Sequence, residues 1–273
     1  MFDYIKKKLE KRRIKRNFSE YGSQVYEYAL PDFGLVKFAK WLNPLDEVRN
    51  ITQGQVNFYK KFLHPGDLAI DIGAHIGDTA MPMALTVGKQ GLVLAFDPNP
   101  HVFKILLQNV ELNKELTNIV PINVAISAYD GEFFFNSSEA TFNNGGISET
   151  AQNRHGKYGL QEKVKGLNLE NLLRTSYSEY LDKLRVIKID AEGYDIEIIK
   201  SILPVIQKYK PHLIVECFKQ LRKKGRDHLY DTIADLGYDL YYMEDFDDQA
   251  KLELIKRDDM SNWRYFNILA VPT

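Results

Sequence analysis

Residues 66–87 read GDLAIDIGAHIGDTAMPMALTV, and the fold follows from this stretch. Leu68 to Ile72 form a short apolar run of the kind shown by a strand buried on both faces. Gly73, Ala74 and Gly77 supply a tight turn, and Asp78 to Val87 are predicted to be a helix. Pro82 falls in or just past its first turn, where a missing N–H costs least. A strand, a glycine loop and a helix N-terminus together make a ligand pocket. The turn is spaced Asp-x-Gly-x-x-x-Gly, whereas dinucleotide binders use G-x-G-x-x-G. Without the central glycine the backbone cannot approach a pyrophosphate closely. Asp71, at the strand's end, is instead expected to set a carboxylate beside a cationic or hydroxyl-bearing ligand.

The same alternation continues downstream. Gly91 to Asp97 is a second buried strand ending in an acid, about 25 residues on, the distance one helix needs to return to the sheet. A carboxylate there can accept hydrogen bonds from both hydroxyls of a ribose, or it can cap the next helix. Asn99, ahead of Pro100, can also cap, which leaves Asp97 for the ribose. His101 to Asn113 repeat apolar residues at helical spacing, and Ile119 to Ile126 are predicted to be the third strand. Asn123, Val124 and Ala125 fall at its carboxyl end, where backbone groups can read an adenine edge and Val124 can lie on the ring face. A plain strand is the alternative. Glu132 to Phe135 are expected to pair with Gln161 to Gly166. The Ser-, Asn- and Gly-rich stretch between them, residues 136–159, is long enough for a substrate-facing loop, with Asn143, Asn144, Ser148 and His155 as hydrogen-bonding candidates. Leu184 to Asp190, Leu213 to Cys217, Tyr238 to Met243 and Tyr265 to Val271 are further strands.

Composition bounds the class. The chain has 273 residues, 44% hydrophobic, enough for one α/β domain with extensions. A net charge of −1 excludes a globally basic nucleic-acid binder. The lone Cys217 excludes an intrachain disulfide and fits a reducing, cytoplasmic setting. No run approaches the roughly 20 apolar residues of a membrane span, and no cleavable signal is expected because no apolar segment follows the basic start. Residues 1–20 hold eight Lys or Arg against Asp3, Glu10 and Glu20, a net of +5 that leaves −6 for the rest. A helix of this kind suits peripheral contact with an anionic inner membrane face. Its apolar face is poor, however, and a solvated helix is the alternative. Val25 to Val36 alternate as strands around the turn Pro31-Asp32-Phe33-Gly34, and Trp41 to Lys61 read as irregular chain and then helix. Residues 1–60 are thus an N-terminal extension and residues 61–273 one α/β domain.

Asp71, Asp97, Ala125, Asp190 and Glu216 all fall near carboxyl ends of strands, where ligands gather on a mostly parallel sheet. Lys188 and Asp190 have the same parity on their strand, and an ion pair inside an apolar strand is costly unless it is satisfied. Asp190 or Glu192 can take a proton from an attacking hydroxyl, with Lys188 and Glu216 in support. Alternatively, Asp190 caps the following helix and Glu192 favours its dipole.

The first of these patterns resembles the opening motif of Rossmann-like methyltransferases, which bind S-adenosylmethionine. Together, Asp71-Ile72-Gly73-Ala74-His75-Ile76-Gly77, Asn123-Val124-Ala125-Ile126-Ser127, Lys188-Ile189-Asp190-Ala191-Glu192-Gly193 and Pro211-His212-Leu213-Ile214-Val215-Glu216 resemble the FkbM-type methyltransferases in order. The resemblance implies an α/β Rossmann-like methyltransferase sheet, mostly parallel with an antiparallel last strand, and helices on both faces. It implies S-adenosyl-L-methionine as cofactor, held by Asp71, Gly73, Ala74, His75, Gly77, Asp78, Thr79, Asp97, Asn123, Val124, Ala125 and Asp190. It also implies methylation of a hydroxyl on a sugar, glycan or related metabolite. The family pattern usually has Asn where this chain has His75, and often an aromatic near Asp78 and Thr79. A divalent ion held by the carboxylates is a variant of the same chemistry. The rival readings are a nucleic-acid methyltransferase, for which only the basic N-terminus speaks, an NAD-dependent oxidoreductase, and a non-catalytic binding module.

Overall fold

In a computed structural model that describes residues 2–150 and 156–273, an eight-stranded sheet forms the centre of the molecule. In chain order the strands are β1 (Ser23–Leu30), β2 (Gly34–Trp41), β3 (Leu68–Ile72), β4 (Leu92–Phe96), β5 (Ile119–Ile122), β6 (Ala125–Ser127), β7 (Gly131–Ser137), β8 (Gly146–Ser148), β9 (Tyr158–Gly159), β10 (Val164–Asn168), β11 (Leu184–Ile189), β12 (His212–Cys217), β13 (Tyr238–Met243), β14 (Leu252–Leu254) and β15 (Phe266–Pro272). The helices are α1 (Phe2–Arg16), α2 (Gln53–Tyr59), α3 (Ala80–Val87), α4 (Pro100–Leu112), α5 (Leu169–Ser176), α6 (Asp195–Ser201), α7 (Leu203–Tyr209) and α8 (Lys223–Ala234). The central sheet runs β14-β13-β15-β12-β11-β3-β4-β5. Strands β5, β4, β3, β11 and β12 are parallel, and β15 enters antiparallel between β12 and β13.

Every residue of β3 and of β4 is buried, because helices cover both faces of the sheet. Successive side chains go to opposite layers. Leu68, Ile70 and Ile72 join Leu173, Ile198, Ile206 and Leu229 on one face, while Ala69, Val93 and Ala95 join Met81, Leu85, Val102 and Leu106 on the other. The hairpin β1–β2 belongs to the second layer through Val36, Phe38 and Trp41. It is fastened to α4 by two asparagines. Asn109 accepts from Ala39 N and donates to Ala39 O, and Asn113 does the same with Lys37. Four residues of helix rise about 6 Å and two residues of strand about 6.7 Å, so amides at this spacing mimic the edge of a sheet.

Several expected boundaries move. The stretch predicted as one strand, Ile119 to Ile126, divides at Asn123. Residues up to Ile122 stay in the central sheet, whereas Ala125–Ser127 pair with β10 in a second sheet, β6-β10-β7-β8. The break occurs because Asn123 turns its amide to donate to Asp97 O at 2.8 Å. The helix expected from Asp78 begins at Ala80. The long polar stretch is partly sheet, with β8 paired to β7. The chain after the acidic run 244–248 adds an edge strand, β14, which the sequence did not suggest.

Candidate active site

The glycine loop after β3 is shaped by what it touches. Gly73 has φ +75°, and a Cβ there would overlap the carbonyl oxygen of Asp190, so β3 and β11 approach only because no side chain intervenes. Gly73 N and Ala74 N both donate to Phe96 O at 2.9 Å, which ties the loop to the end of β4. His75 also has positive φ, +50°, and its N–H donates to Asp97 Oδ2 at 2.8 Å. The other oxygen of Asp97 accepts from Asn99 N at 2.8 Å, while Asn99 itself caps α4 by accepting from His101 N. The capping role thus falls to Asn99, and Asp97 is left pointing into the cleft. Burial pushes the Asp97 carboxyl up to about 7, against the pull of these two N–H groups.

Asp71 does not stand where the spacing suggested. It is fully buried behind the loop, its Oδ2 accepting from Thr79 Oγ1 at 2.6 Å and its Oδ1 lying 3.1 Å from Lys188 Nζ. The carboxylate is needed there to neutralise Lys188, which is itself 4% exposed. Burial disfavours a charged lysine, but Asp71 and Asp190 outweigh it and raise Lys188 above its ordinary value. Lys188 also donates to Gly73 O at 3.1 Å and lies 3.6 Å from Asp190 Oδ2. The strand parity of Lys188 and Asp190 therefore produces one buried cation that holds the loop and the Asp190 carboxylate together.

A cavity of 630 Å³ opens over the carboxyl ends of β3, β4 and β11. That is the size of a small-molecule or cofactor site. Gly73, His75, Asp78, Thr79, Asp97, Val124, Ala125, Asn143, Asn144, Lys188, Asp190 and Glu192 line it. Asp71, Ala74, Gly77, Asn123, Ser148 and Glu216 do not. Ala74 and Gly77 shape the turn, and a Cβ on Gly77 would press on Leu106 of α4. Ser148 is turned aside, donating to Thr150 O and accepting from Asn136. Asn144 reaches the cavity wall, but its Oδ1 accepts from Ser137 and Ser138. Asn143 donates to Leu45 O and leaves its buried Oδ1 without a partner among the described residues. His155 lies outside the described residues.

Charge is unevenly distributed around the cavity. Arg49 Nη1 sits 2.5 Å from Asp78 Oδ2, with Asp46 on its other side at 3.4 Å. Burial opposes the charge on Asp78, yet Arg49 and the other cations hold its carboxyl below the usual range. Nothing in the sequence around Arg49 marked it, because its partner is 29 residues away and the two meet only in the fold. Beside this pair, burial and then Arg49 push the His75 imidazole down to about 3, so it is neutral. Neither ring nitrogen of His75 has a hydrogen-bond partner among the described residues, although the ring packs edge-on to Trp41 at 5.9 Å.

On the other side lies a set of carboxyls. Asp195 accepts from Ala191 N and Gly193 N, so it, and not Asp190, folds the turn into α6. Glu192 occupies a left-handed backbone position, φ +52°, a strain that non-glycine residues carry mainly at functional sites. Burial, reinforced by Asp190, pushes Glu192 up to about 7. Burial, with the neighbouring carboxyls of Asp190, Asp195 and Glu192, pushes Glu216 up to about 11, which favours its protonated form near neutrality. Among the described residues no three His, Cys, Asp or Glu side chains are arranged to hold a metal ion. The phenol of Tyr265 and the ring of Phe246, neither singled out by the sequence, complete the wall.

The sequence description of the methyltransferase FkbM domain matches residues 71–240, well over half of the chain. The chain belongs to the FkbM methyltransferase family. The matched region is a methyltransferase domain. Among curated relatives, a tRNA (guanine(37)-N(1))-methyltransferase of Batrachochytrium dendrobatidis is 37% identical over 95 residues, covering 35% of this chain and 18% of that protein. The hexuronic acid methyltransferase AglP of Haloferax volcanii is 24% identical over 141 residues, 52% of each chain. The chain thus spans about half or less of the length of these two relatives. Among solved structures, the methyltransferase FkbM from Methylobacillus flagellatus aligns at a TM-score of 0.48 and 11% identity, covering 80% of this chain and 51% of that one.

The cavity suits the family's cofactor on its own evidence. It offers a buried carboxylate at the β4 end, a loop with no side chain at Gly73, and three buried polar atoms, on His75 and Asn143, that the described residues leave unpaired. Buried polar atoms of this kind call for a hydrogen-bonding ligand.

Proposed function

We propose that the chain methylates a hydroxyl group on a sugar, glycan or related metabolite, with Glu192 as the proton acceptor. The observation that carries this reading is the state of the Glu192 carboxylate. It faces the cavity, makes no hydrogen bond among the described residues, and is pushed up to about 7 in a strained backbone position. An alcohol is a poor nucleophile near neutral pH, and a base whose pKa lies near the working pH serves it best. The Haloferax relative is named for methylating a hexuronic acid, which supports a carbohydrate acceptor.

Bound S-adenosylmethionine supplies a methyl group on a sulfonium cation. Asp97 would take its ribose hydroxyls, Val124 and Ala125 would flank its adenine, and the Arg49–Asp78 pair with neutral His75 would meet its charged methionine end. Lys188 fixes Asp190 beside Glu216. The acceptor hydroxyl would donate to a Glu192 oxygen and lose its proton there. Asn143, whose Oδ1 has no partner among the described residues, would bind the acceptor.

The test is a methyl-transfer assay on a panel of neutral and acidic glycosides, with RNA as comparison. In wild type the rate rises with pH through about 7 and then levels. Glu192→Gln is expected to lower kcat by about a hundredfold or more and to abolish that rise. An unchanged pH profile in the variant refutes the base. Transfer to RNA and to none of the glycosides refutes the acceptor class.

A further inference from the structure

We propose that α1 and the lip of the cleft beside it form a docking surface for an anionic lipid bilayer. Residues 6–16 carry eight Lys or Arg against Glu10 alone. Seven of the eight, all but Lys15, are exposed and make no ion pair among the described residues. The helix is about 22 Å long, and its cations face every side. Among the described residues its attachments lie at the C-terminal end. Lys15 pairs with Glu139, Lys15 O accepts from Ala140 N, and Phe18 packs on His101 and Phe142.

That attachment places α1 at the mouth of the cavity. The segment 139–144, on which the helix rests, continues into the cavity-lining residues Asn143 and Asn144. It also holds the loop after β2, since Asn43 donates to Thr141 O and Asn143 to Leu45 O. Three large apolar side chains stand exposed along this lip: Phe18 at 57%, Leu42 at 49% and Val48 at 83%. Apolar side chains beside unpaired cations gain from the headgroup region of a bilayer but not from a phosphate backbone in water. This combination favours a lipid surface over a nucleic acid.

The rest of the molecule sets the orientation. Residues 1–20 carry +5 and the remainder −6. The acidic residues at the cavity, Glu244, Asp245 and Asp247, follow β13, whereas segment 139–144 is tied to Asn99, just beyond β4, through Asn99 Nδ2 and Phe142 O. Five strand steps separate β13 from β4, about 24 Å at about 4.8 Å per step. This exceeds two Debye lengths at physiological salt. An anionic surface therefore attracts α1 and segment 139–144 more strongly than the acidic loop after β13. The proposal does not depend on the nature of the acceptor.

Sedimentation of the full chain with phosphatidylcholine vesicles, with and without 30% phosphatidylglycerol, tests it. We expect binding only to the anionic vesicles, falling more than tenfold between 0.1 and 0.5 M salt. Each basic residue near such a surface strengthens partition about fivefold. The variant Lys7→Gln, Lys8→Gln, Lys11→Gln, Arg12→Gln should thus lose about a hundredfold or more, and Phe18→Ser with Leu42→Ser a smaller amount. Both should keep wild-type affinity for S-adenosylhomocysteine, which shows that they fold. No binding to anionic vesicles, binding that survives neutralisation of α1, or binding to RNA without binding to vesicles overturns the proposal.

Discussion

Lys188 is the residue whose removal tests the architecture of the site most directly. Its Nζ lies 3.1 Å from Asp71 Oδ1, and Asp71 is fully buried. At that distance, with an effective dielectric constant of about 20, the attraction is about 5 kcal/mol. Much of this offsets the cost of taking both charges out of water, so the pair adds little net stability. Breaking it is a different matter. Lys188→Met leaves Asp71 with only the Thr79 hydroxyl and is expected to cost about 3–5 kcal/mol, a large part of a typical total of about 5–15 kcal/mol. Adding Asp71→Asn removes the stranded charge and should restore all but about 1–2 kcal/mol, the remainder reflecting the unpaired Gly73 carbonyl. Urea unfolding of the two variants measures both numbers. The single variant also carries a pH signature. Burial raises the carboxyl of Asp71 above its unfolded value, so without the lysine the folded state holds a proton that the unfolded chain has released. Stability then falls as pH rises, and the deficit should be larger at pH 8 than at pH 5. A loss below about 1 kcal/mol, or no recovery on adding Asp71→Asn, would refute the reasoning.

Other outcomes follow from the same geometry. Asp97→Ala should weaken S-adenosylhomocysteine at least about tenfold, or about 1.4 kcal/mol, by calorimetry; unchanged affinity would remove Asp97 from the ribose site. Gly73→Ala should abolish that binding and lower the urea midpoint, because its Cβ would meet Asp190 O; a well-folded variant that binds normally would show that the loop can move away. Glu216, pushed up to about 11, keeps a proton that the unfolded chain loses above its ordinary value of 4.5, so its contribution to stability declines as pH rises beyond that value. Glu216→Gln should therefore gain on wild type between pH 5 and pH 8, by at most about 1.4 kcal/mol per pH unit; midpoints that shift in parallel would show that the side chain is not held protonated.

Much of the fold was legible because its signals are local. All-apolar pentads such as Leu68–Ile72 and Leu92–Phe96 announce strands covered on both faces, and an Asn-Pro pair announces a helix start. Of the five strand-end residues expected at one crevice, Asp97, Ala125 and Asp190 line the cavity, whereas Asp71 and Glu216 do not. Boundaries were misread where a side chain far along the chain intervened. Asn123 ends its strand early by reaching Asp97 O, and Thr79 gives its hydroxyl to Asp71 instead of to the helix it precedes.

The amino-acid order by itself determined the alternation of elements, the glycine turn that needs positive φ, and which strand ends carry carboxylates, because these depend on neighbours within a few residues. Only the tertiary structure decided what each carboxylate does. Asp71 became a buried counterion, Asp97 a group facing the cleft, Glu216 an acid whose pKa is raised by burial, and Glu192 a cavity carboxylate with no hydrogen bond among the described residues. Those roles depend on desolvation and on charges supplied by other strands, and neither quantity exists until the chain has folded.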